Sequence, residues 1–240
     1  MDLCGGKQMK YAGINKNDFA AAPGVSVSFF TQGCPHRCKN CHNPETWKVN
    51  DTDIKITPEE FVEKVKRYVP YYEKEGGVTF SGGEPLLQSE FLLNTLKLLK
   101  KEGIHTAIDT AGVGIGDYEE ILKYVDLVIL DIKSIDPKEY KYLTGQELDE
   151  FYKFLSVCQS LNKKMWIRQV IVPGINDTKE NILKLNEFLS GLKNIEKVEL
   201  LPYRTLGIEK YQKLGIKYPL DGVLDLKKEK LDELSSFLNY

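Results

Sequence analysis

Short, fully apolar segments alternate along the chain with longer segments whose apolar residues recur at helical spacing. Six of the apolar segments are typical of buried strands, at residues 25–31, 78–80, 105–109, 127–131, 165–172 and 198–201. Over residues 89–101, Phe91, Leu92 and Leu96 fall on one face of a helix and predict an amphipathic helix. Regular alternation of strands and helices predicts right-handed crossovers and a parallel sheet covered by helices.

Capping residues mark the helix boundaries. Thr57 is a favourable cap and Pro58 a favourable first residue, so a helix is predicted to begin there and to run towards Tyr68. Asn176 or Asp177 is predicted to cap the helix after the fifth strand. The other predicted helices lie at 117–124, between 136 and 161, and at 226–238.

Periodicity alone does not decide whether this sheet lies open or curls into a partial barrel. In both arrangements, ligands collect at the carboxyl ends of the strands. A chain of 240 residues with 42% hydrophobic content can bury one sizeable core, so a single domain over residues 1–240 is predicted. We divide it into an N-terminal extension (1–24), the sheet with its helices (25–204) and a charged closing segment (205–240).

Charge and cysteine usage narrow the class of protein. A net charge of -2 with both signs interspersed argues against nucleic-acid binding, and no apolar run is long enough to span a membrane. The first residues lack the basic and apolar regions of a secretory signal, so we expect a cytoplasmic monomer with reduced thiols. Of the five cysteines, Cys4 is predicted to be an exposed thiol and Cys158 a small buried apolar residue.

Three cysteines are concentrated in one loop directly after the first predicted strand. Cys34, Cys38 and Cys41 are spaced C-x3-C-x2-C, close enough to converge on one metal centre. Structural zinc sites close with four protein ligands, whereas three thiolates leave one corner of a four-iron, four-sulfur cube without a protein ligand. A zinc site with His36 or His42 as the fourth ligand, or three free thiols, remains the alternative.

The other histidine roles are predicted from position. His42 adjoins the last loop cysteine and is expected to order the loop or to border a ligand. His36 is expected at the surface, and His105 is expected to open a strand.

Polar residues follow the second predicted strand. Gly82 and Gly83 remove side chains where backbone must come close to a ligand, and the carboxylate of Glu84 can accept a hydrogen bond from an ammonium group. A tight turn is the alternative explanation for this segment.

Further polar residues end the next strands. Asp109 and Asp131, with Lys133, are expected at one rim of the sheet, although each aspartate could instead cap the following helix. Arg168 lies inside an apolar strand, which is unfavourable unless its charge is paired, so we expect it to point inwards to a carboxylate. Arg204 follows the last strand.

The cysteine spacing, together with the Ser-Gly-Gly-Glu segment at 81–84, resembles the radical SAM superfamily, whose members use S-adenosylmethionine (SAM). Gly33 and residues 42–47 around the cysteines resemble the activators of glycyl radical enzymes. Residues 166–168, 172–174 and 200–207 are most similar to the pyruvate formate-lyase activating enzymes. This resemblance implies an incomplete (β/α)6 barrel with parallel strands, one 4Fe-4S cluster held by the three loop cysteines, and SAM as cosubstrate.

The resemblance also implies ligand contacts. SAM would be contacted by Asn40, Cys41, His42, Gly82, Gly83, Glu84, Asp109, Asp131, Ile132, Lys133, Arg168 and Arg204. A monovalent cation near the SAM carboxylate would be held by Asp109, Thr110, Asp131 and the carbonyl of Ile129. The family commonly has histidine at the position of Arg204, and arginine is longer and permanently charged, so this contact is expected to be remade or lost.

The implied activity is reductive cleavage of SAM, followed by removal of a hydrogen atom from a backbone glycine of a glycyl radical enzyme. Pyruvate formate-lyase would be the protein substrate, and reduced flavodoxin or ferredoxin the electron donor. Residues 11–20 and 22–25, however, look more like the activators of anaerobic ribonucleotide reductase. Activation of that reductase or of another glycyl radical enzyme, a radical SAM enzyme acting on a small molecule, and a zinc scaffold remain the alternatives.

Overall fold

The described part of the computed structural model covers residues 8–18, 26–52, 54–72 and 76–240. It contains one eight-stranded sheet in the order β3-β1-β2-β4-β5-β6-β7-β8. The strands are β1 (Met9–Asp18), β2 (Ser26–Thr31), β3 (Lys55–Ile56), β4 (Gly77–Gly82), β5 (His105–Thr110), β6 (Leu127–Asp131), β7 (Met165–Ile171) and β8 (Ile195–Pro202). Six strands are parallel to one another, namely β2, β4, β5, β6, β7 and β8. They match the six strands predicted from sequence. Within the described ranges β3 and β8 stand at the two edges, so the sheet is an unclosed barrel.

Two further strands were not anticipated. β1 lies within the predicted N-terminal extension and pairs antiparallel with both β2 and β3. Its sequence is rich in polar residues, and it becomes a strand because the edge of β2 offers unpaired backbone groups. Cys4, residues 22–25 and the end of the 11–20 segment lie outside the described residues.

Helices cover the sheet between its strands. They are α1 (Pro58–Lys66), α2 (Ser89–Lys101), α3 (Tyr118–Leu122), α4 (Pro137–Thr144), α5 (Asp149–Ser160), α6 (Lys179–Ser190), α7 (Ile208–Lys213) and α8 (Lys228–Ser235). Thr57 caps α1 as predicted, and it forms a reciprocal capping box with Glu60. None of the described helices has the length and apolar character needed to cross a membrane.

Two helix predictions were wrong. Thr178, rather than Asn176 or Asp177, caps α6 by accepting from the Asn181 amide. Asn176 and Asp177 instead hold the preceding turn, since their side chains accept from the Val172 and Gly174 amides at 2.7 and 2.8 Å. The charged closing segment contains two helices, α7 and α8, where one was predicted.

The core lies between the sheet and its outer helices. Phe29 of β2 packs against Phe61 of α1 and Phe80 of β4, with ring centroids 4.7 and 6.0 Å away. Cys158 is fully buried on α5, as predicted for a small apolar residue. These apolar side chains pack on the side of the sheet that the helices cover. The polar residues at the strand ends are not part of this core and can therefore form a site.

Asp126, just before β6, joins two neighbouring strands at their amino ends. Its carboxylate accepts from the Thr106 amide at 3.0 Å and from Lys100 Nζ at 2.6 Å. Burial works against ionisation, but the bonds to Lys100 and Thr106 outweigh it and hold the pKa of Asp126 below its ordinary value. The carboxylate therefore stabilises the fold above about pH 3.9, the usual value of an unfolded aspartate, and this contribution is lost as the pH falls through the lower folded-state pKa.

We expect Asp126→Asn to lower the free energy of unfolding by about 1–2 kcal/mol at pH 7, because a charged acceptor of several hydrogen bonds is lost. Denaturant unfolding measures this, and the gap from the parent protein should narrow below about pH 3.9. The matched control is Asp232→Asn on the exposed side of α8. A gap of constant size at every pH would contradict the role given to the charge.

Candidate active site

The cysteine loop follows β2 and is fixed at both ends by backbone hydrogen bonds. Gly33 N donates to Thr46 O at 2.7 Å, and Cys34 N donates to Trp47 O at 3.1 Å. In the middle of the loop, Arg37 N donates to Thr144 O at the end of α4, at 2.8 Å. The loop is thereby held over the carboxyl ends of the parallel strands.

All three loop cysteines line one cavity of about 300 Å³. Its other lining residues come from the strand ends and from the loop itself, and include Asn40, His42, Ser81, Gly82, Gly83, Glu84, Asp109, Thr110, Asp131 and Lys133. The structure therefore brings together most of the site predicted from sequence. Ile132 and Arg204 do not line this cavity, and neither does Arg168.

The thiols are free and largely protected from water. Burial raises the pKa of Cys38 to about 11, and it also raises the pKa of Cys34 and of Cys41 above the ordinary thiol value. At Cys41, hydrogen bonds from the Asn43 amide and the Trp47 side chain act in the opposite direction. Thiols in such surroundings become thiolates when a positively charged metal group replaces their protons.

The histidines argue against a zinc site. His36 is only 2% exposed, which contradicts the predicted surface position, and its ring meets the Tyr140 hydroxyl at 3.2 Å. Burial lowers the pKa of His36 to about 3. His42 Nε2 lies 3.0 Å from the Arg204 carbonyl. In the described ranges, no three His, Cys, Asp or Glu side chains converge as ligands of a single ion. Three thiols around a cavity of about 300 Å³ fit an iron-sulfur cluster in which one iron has no protein ligand.

Gly82 and Gly83 are required by close backbone packing within the protein. Gly82 has φ +102°, and a Cβ on Gly82 would lie 2.5 Å from Thr31 N. A Cβ on Gly83 would lie 2.2 Å from the Gly33 carbonyl oxygen. These glycines therefore let β4 approach the start of the cysteine loop, in addition to lining the cavity.

The Glu84 carboxylate is buried and hydrogen-bonded within the protein. The residue is 1% exposed, and its carboxylate accepts from Thr110 Oγ1 at 2.6 Å, Leu86 N at 3.1 Å and Ala111 N at 3.0 Å. Burial raises the pKa of Glu84 to about 7, although these hydrogen bonds act against the shift. Both carboxylate oxygens already accept hydrogen bonds within the protein, but Glu84 also lines the cavity, so its contact with an ammonium group of a ligand stays a prediction.

Charged side chains lie together at the carboxyl ends of β5 and β6. Asp131 Oδ2 accepts from Lys133 Nζ at 2.5 Å, and Asp131 Oδ1 has no hydrogen-bond partner among the described residues. Asp109 accepts from Ser81 Oγ at 2.9 Å. Burial acts to lower the pKa of Lys133, but the charges of Asp131 and Cys38 outweigh it and hold the pKa above the ordinary value. Lys133 is therefore a fixed cation facing the cavity.

The two arginines have carboxylate partners that were not anticipated. Arg168 Nε donates to Glu199 Oε2 at 3.1 Å, and Glu199 is its register partner on β8. The Arg204 guanidinium lies 3.4 Å from Asp225 Oδ2, and Arg204 does not line the cavity, so whether its contact with SAM is remade or lost stays a prediction. Pairing of strand neighbours could have suggested Glu199, but nothing in the sequence pattern links Arg204 to a loop twenty-one residues away.

An unclosed parallel barrel with three cysteines over its strand ends defines a class of iron-sulfur enzymes. The family model described as the Radical SAM superfamily matches residues 28–185, and the chain belongs to this superfamily. Within it, the chain belongs to the pyruvate formate-lyase-activating enzymes, as its close relatives establish.

These relatives are matched over nearly their whole length. The chain is 52% identical to the pyruvate formate-lyase-activating enzyme of Clostridium pasteurianum, over 90% of this chain and 91% of that one. It is 43% identical to the Staphylococcus epidermidis enzyme, over 91% and 90%. Among solved structures, a domain of the Bacteroides vulgatus activating enzyme has a TM-score of 0.55 at 28% identity, covering 68% of this chain and 92% of that one. A radical SAM methyltransferase from Sphaerobacter thermophilus shares the fold, with a TM-score of 0.65 at 15% identity, covering 96% and 74%.

Gly83→Ala should destabilise the protein by roughly 2–3 kcal/mol, because its Cβ would meet a backbone carbonyl that cannot rotate away. The iron and sulfide content after anaerobic reconstitution should also fall, because the start of the cysteine loop must move away from the new Cβ. Gly13→Ala is the control, because a Cβ there meets nothing within 4 Å. Equal stability and cluster content in both variants would contradict the close packing described for Gly83.

Arg204→Ala should change SAM affinity by less than about threefold, because the guanidinium pairs with Asp225 outside the cavity. Lys133→Ala should weaken binding about tenfold or more, since a buried cation is lost. Equilibrium dialysis of the reconstituted protein measures both. If Arg204→Ala weakens binding as much as Lys133→Ala, the arginine moves into the site when SAM binds.

Proposed function

We propose that this protein activates pyruvate formate-lyase by removing a hydrogen atom from a backbone glycine of that enzyme. The observation that carries the proposal is the set of three cysteines around one cavity at the strand ends, in a chain that belongs to the activating-enzyme family. Fifty-two per cent identity to an activating enzyme over almost the full length supports the same activity.

Cys34, Cys38 and Cys41, which line the cavity, would hold the 4Fe-4S cluster. When bound, the cluster and SAM supply a one-electron cleavage of the sulfonium to methionine and a 5′-deoxyadenosyl radical. The chain surrounds this chemistry with buried groups, so water is kept from the reacting atoms.

The charged residues of the cavity suit an amino acid ligand. The unpaired Asp131 Oδ1 is an acceptor available to a donor on SAM, and Lys133 is a fixed cation for its carboxylate. Asn40 and His42 border the same space. Burial raises the pKa of Asp109, and the charge of Arg168 on β7 opposes this rise, so Arg168 would help to keep the carboxylate ionised.

We also infer a monovalent cation beside these carboxylates. Asp109, Asp131 and the Ile129 carbonyl would supply oxygen ligands, and the unpaired Oδ1 atom supports this. Thr110 would contribute only through an oxygen that already donates to Glu84.

The substrate must be a segment of another protein. An unclosed sheet and a cavity at the strand ends give a glycine-bearing loop a route to the cluster. A reduced flavodoxin or ferredoxin would be the electron donor, and we expect the activator to be a cytoplasmic monomer.

A mixing experiment tests the proposal. Anaerobic incubation with reductant, SAM and purified pyruvate formate-lyase should give 5′-deoxyadenosine and a glycyl electron-spin doublet. The Cys38→Ala variant should give neither, because one cluster ligand is lost. A doublet formed only with anaerobic ribonucleotide reductase would assign the chain to that second partner. Deoxyadenosine without a doublet from either partner would indicate a small-molecule substrate.

A further inference from the structure

Helix α7 packs directly on the cysteine loop. A Cβ on Gly207, at the start of α7, would lie 3.0 Å from both Cys41 O and His42 Cα. One turn later, Lys210 Nζ donates to Asn43 Oδ1 at 2.6 Å and to Glu45 Oε1 at 2.5 Å. The helix is thereby fixed against the Cys41 side of the loop.

Tyr211 is the buried residue of this helix. Its side chain is 0% exposed, and its ring meets Trp47 edge-on, with centroids 5.7 Å apart. The Tyr211 hydroxyl has no hydrogen-bond partner among the described residues. A buried hydroxyl without a partner is unfavourable, so such an atom calls for a ligand that completes it.

Neighbouring tyrosines differ in this respect. The hydroxyls of Tyr203 and Tyr218 lie 2.7 Å apart and share one hydrogen bond, so each has a partner. The ring centroid of Tyr218 is 5.0 Å from that of Tyr211, so the unpaired hydroxyl belongs to an aromatic cluster that is otherwise hydrogen-bonded.

The surroundings of the hydroxyl identify its missing partner. Tyr211 contacts Trp47, which lines the cavity together with Cys41. Asn43 N donates to Cys41 Sγ, at 3.4 Å. Tyr211 is therefore packed against the Cys41 end of the loop, where sulfur acceptors would be present once a cluster is bound.

We propose that Tyr211 is a positioning residue for the cluster, and that its hydroxyl donates a hydrogen bond to a sulfur on the Cys41 side. The inference rests on the cluster of the proposed function. Reduction adds negative charge to the cluster, and donors to its sulfurs stabilise that charge. Tyr211 thus makes the cluster easier to reduce, and it places α7 under the control of cluster binding.

Tyr211→Phe removes only the hydroxyl and keeps the ring. A redox titration of the reconstituted protein, followed by electron-spin resonance, should show a more negative midpoint potential. The reduction equilibrium should shift about tenfold, which is about 59 mV for a one-electron couple. The parent protein should also show a solvent-exchangeable proton coupled to the reduced cluster, and the variant should lose it.

Tyr218→Phe is the matched control, since it deletes a neighbouring hydroxyl that already has a partner. It should leave the potential unchanged and lower the stability of the cluster-free protein. Tyr211→Phe should leave that stability unchanged or raise it, because an unsatisfied group is removed.

An unchanged potential and an unchanged proton signal in Tyr211→Phe would overturn the inference, whatever the cluster content. A parent protein that binds no iron and sulfide would overturn both the inference and the proposed function. A parent protein with a cluster and a Tyr211-dependent potential, but no glycyl radical on its partner, would contradict the proposed function alone.

Discussion

The site depends on one close approach of two backbone segments. Gly83 N donates to Thr31 O at 2.9 Å, and Glu84 N donates to Gly33 O at 2.8 Å, so the end of β4 is joined to the start of the cysteine loop. Glycine is needed there because any side chain would strike the opposing backbone. Glu84 then extends the connection to β5 through Thr110 and Ala111. Three strand ends and the cysteines are thus held as one unit.

Two buried polar atoms without a partner among the described residues lie in or next to the site. They are Asp131 Oδ1, in a residue that lines the cavity, and the Tyr211 hydroxyl, in a residue that contacts the cavity-lining Trp47. The described residues hold four further unpaired buried atoms, on Ser26, Glu45, Thr79 and Gln169, so a missing partner does not by itself mark a ligand site. The position of Asp131 and Tyr211 relative to the cavity, together with the missing partner, is what links them to a ligand.

Sequence was informative where local pattern determines structure. The parallel strands are short, mostly apolar segments between helical patterns, and the capping box at Thr57 is a local signal, so both were predictable. β1 was not, because its hydrogen bonds come from the edge of β2 rather than from its own pattern. His36 was misplaced because its burial depends on Tyr140, far along the chain. The pairing of Arg204 with Asp225 was not predictable for the same reason.

The closing segment shows how such distant contacts change the interpretation of a charged sequence. Residues 205–240 appear from composition to be a covering for the barrel, yet α7 contacts the cysteine loop through Gly207, Lys210 and Tyr211. Lys210 binds Asn43 and Glu45, whose backbones lie just beyond the last loop cysteine. A movement of the loop on cluster binding would therefore displace α7, and a movement of α7 would displace the loop. The C-terminal segment therefore packs against the cysteine loop as well as covering the barrel.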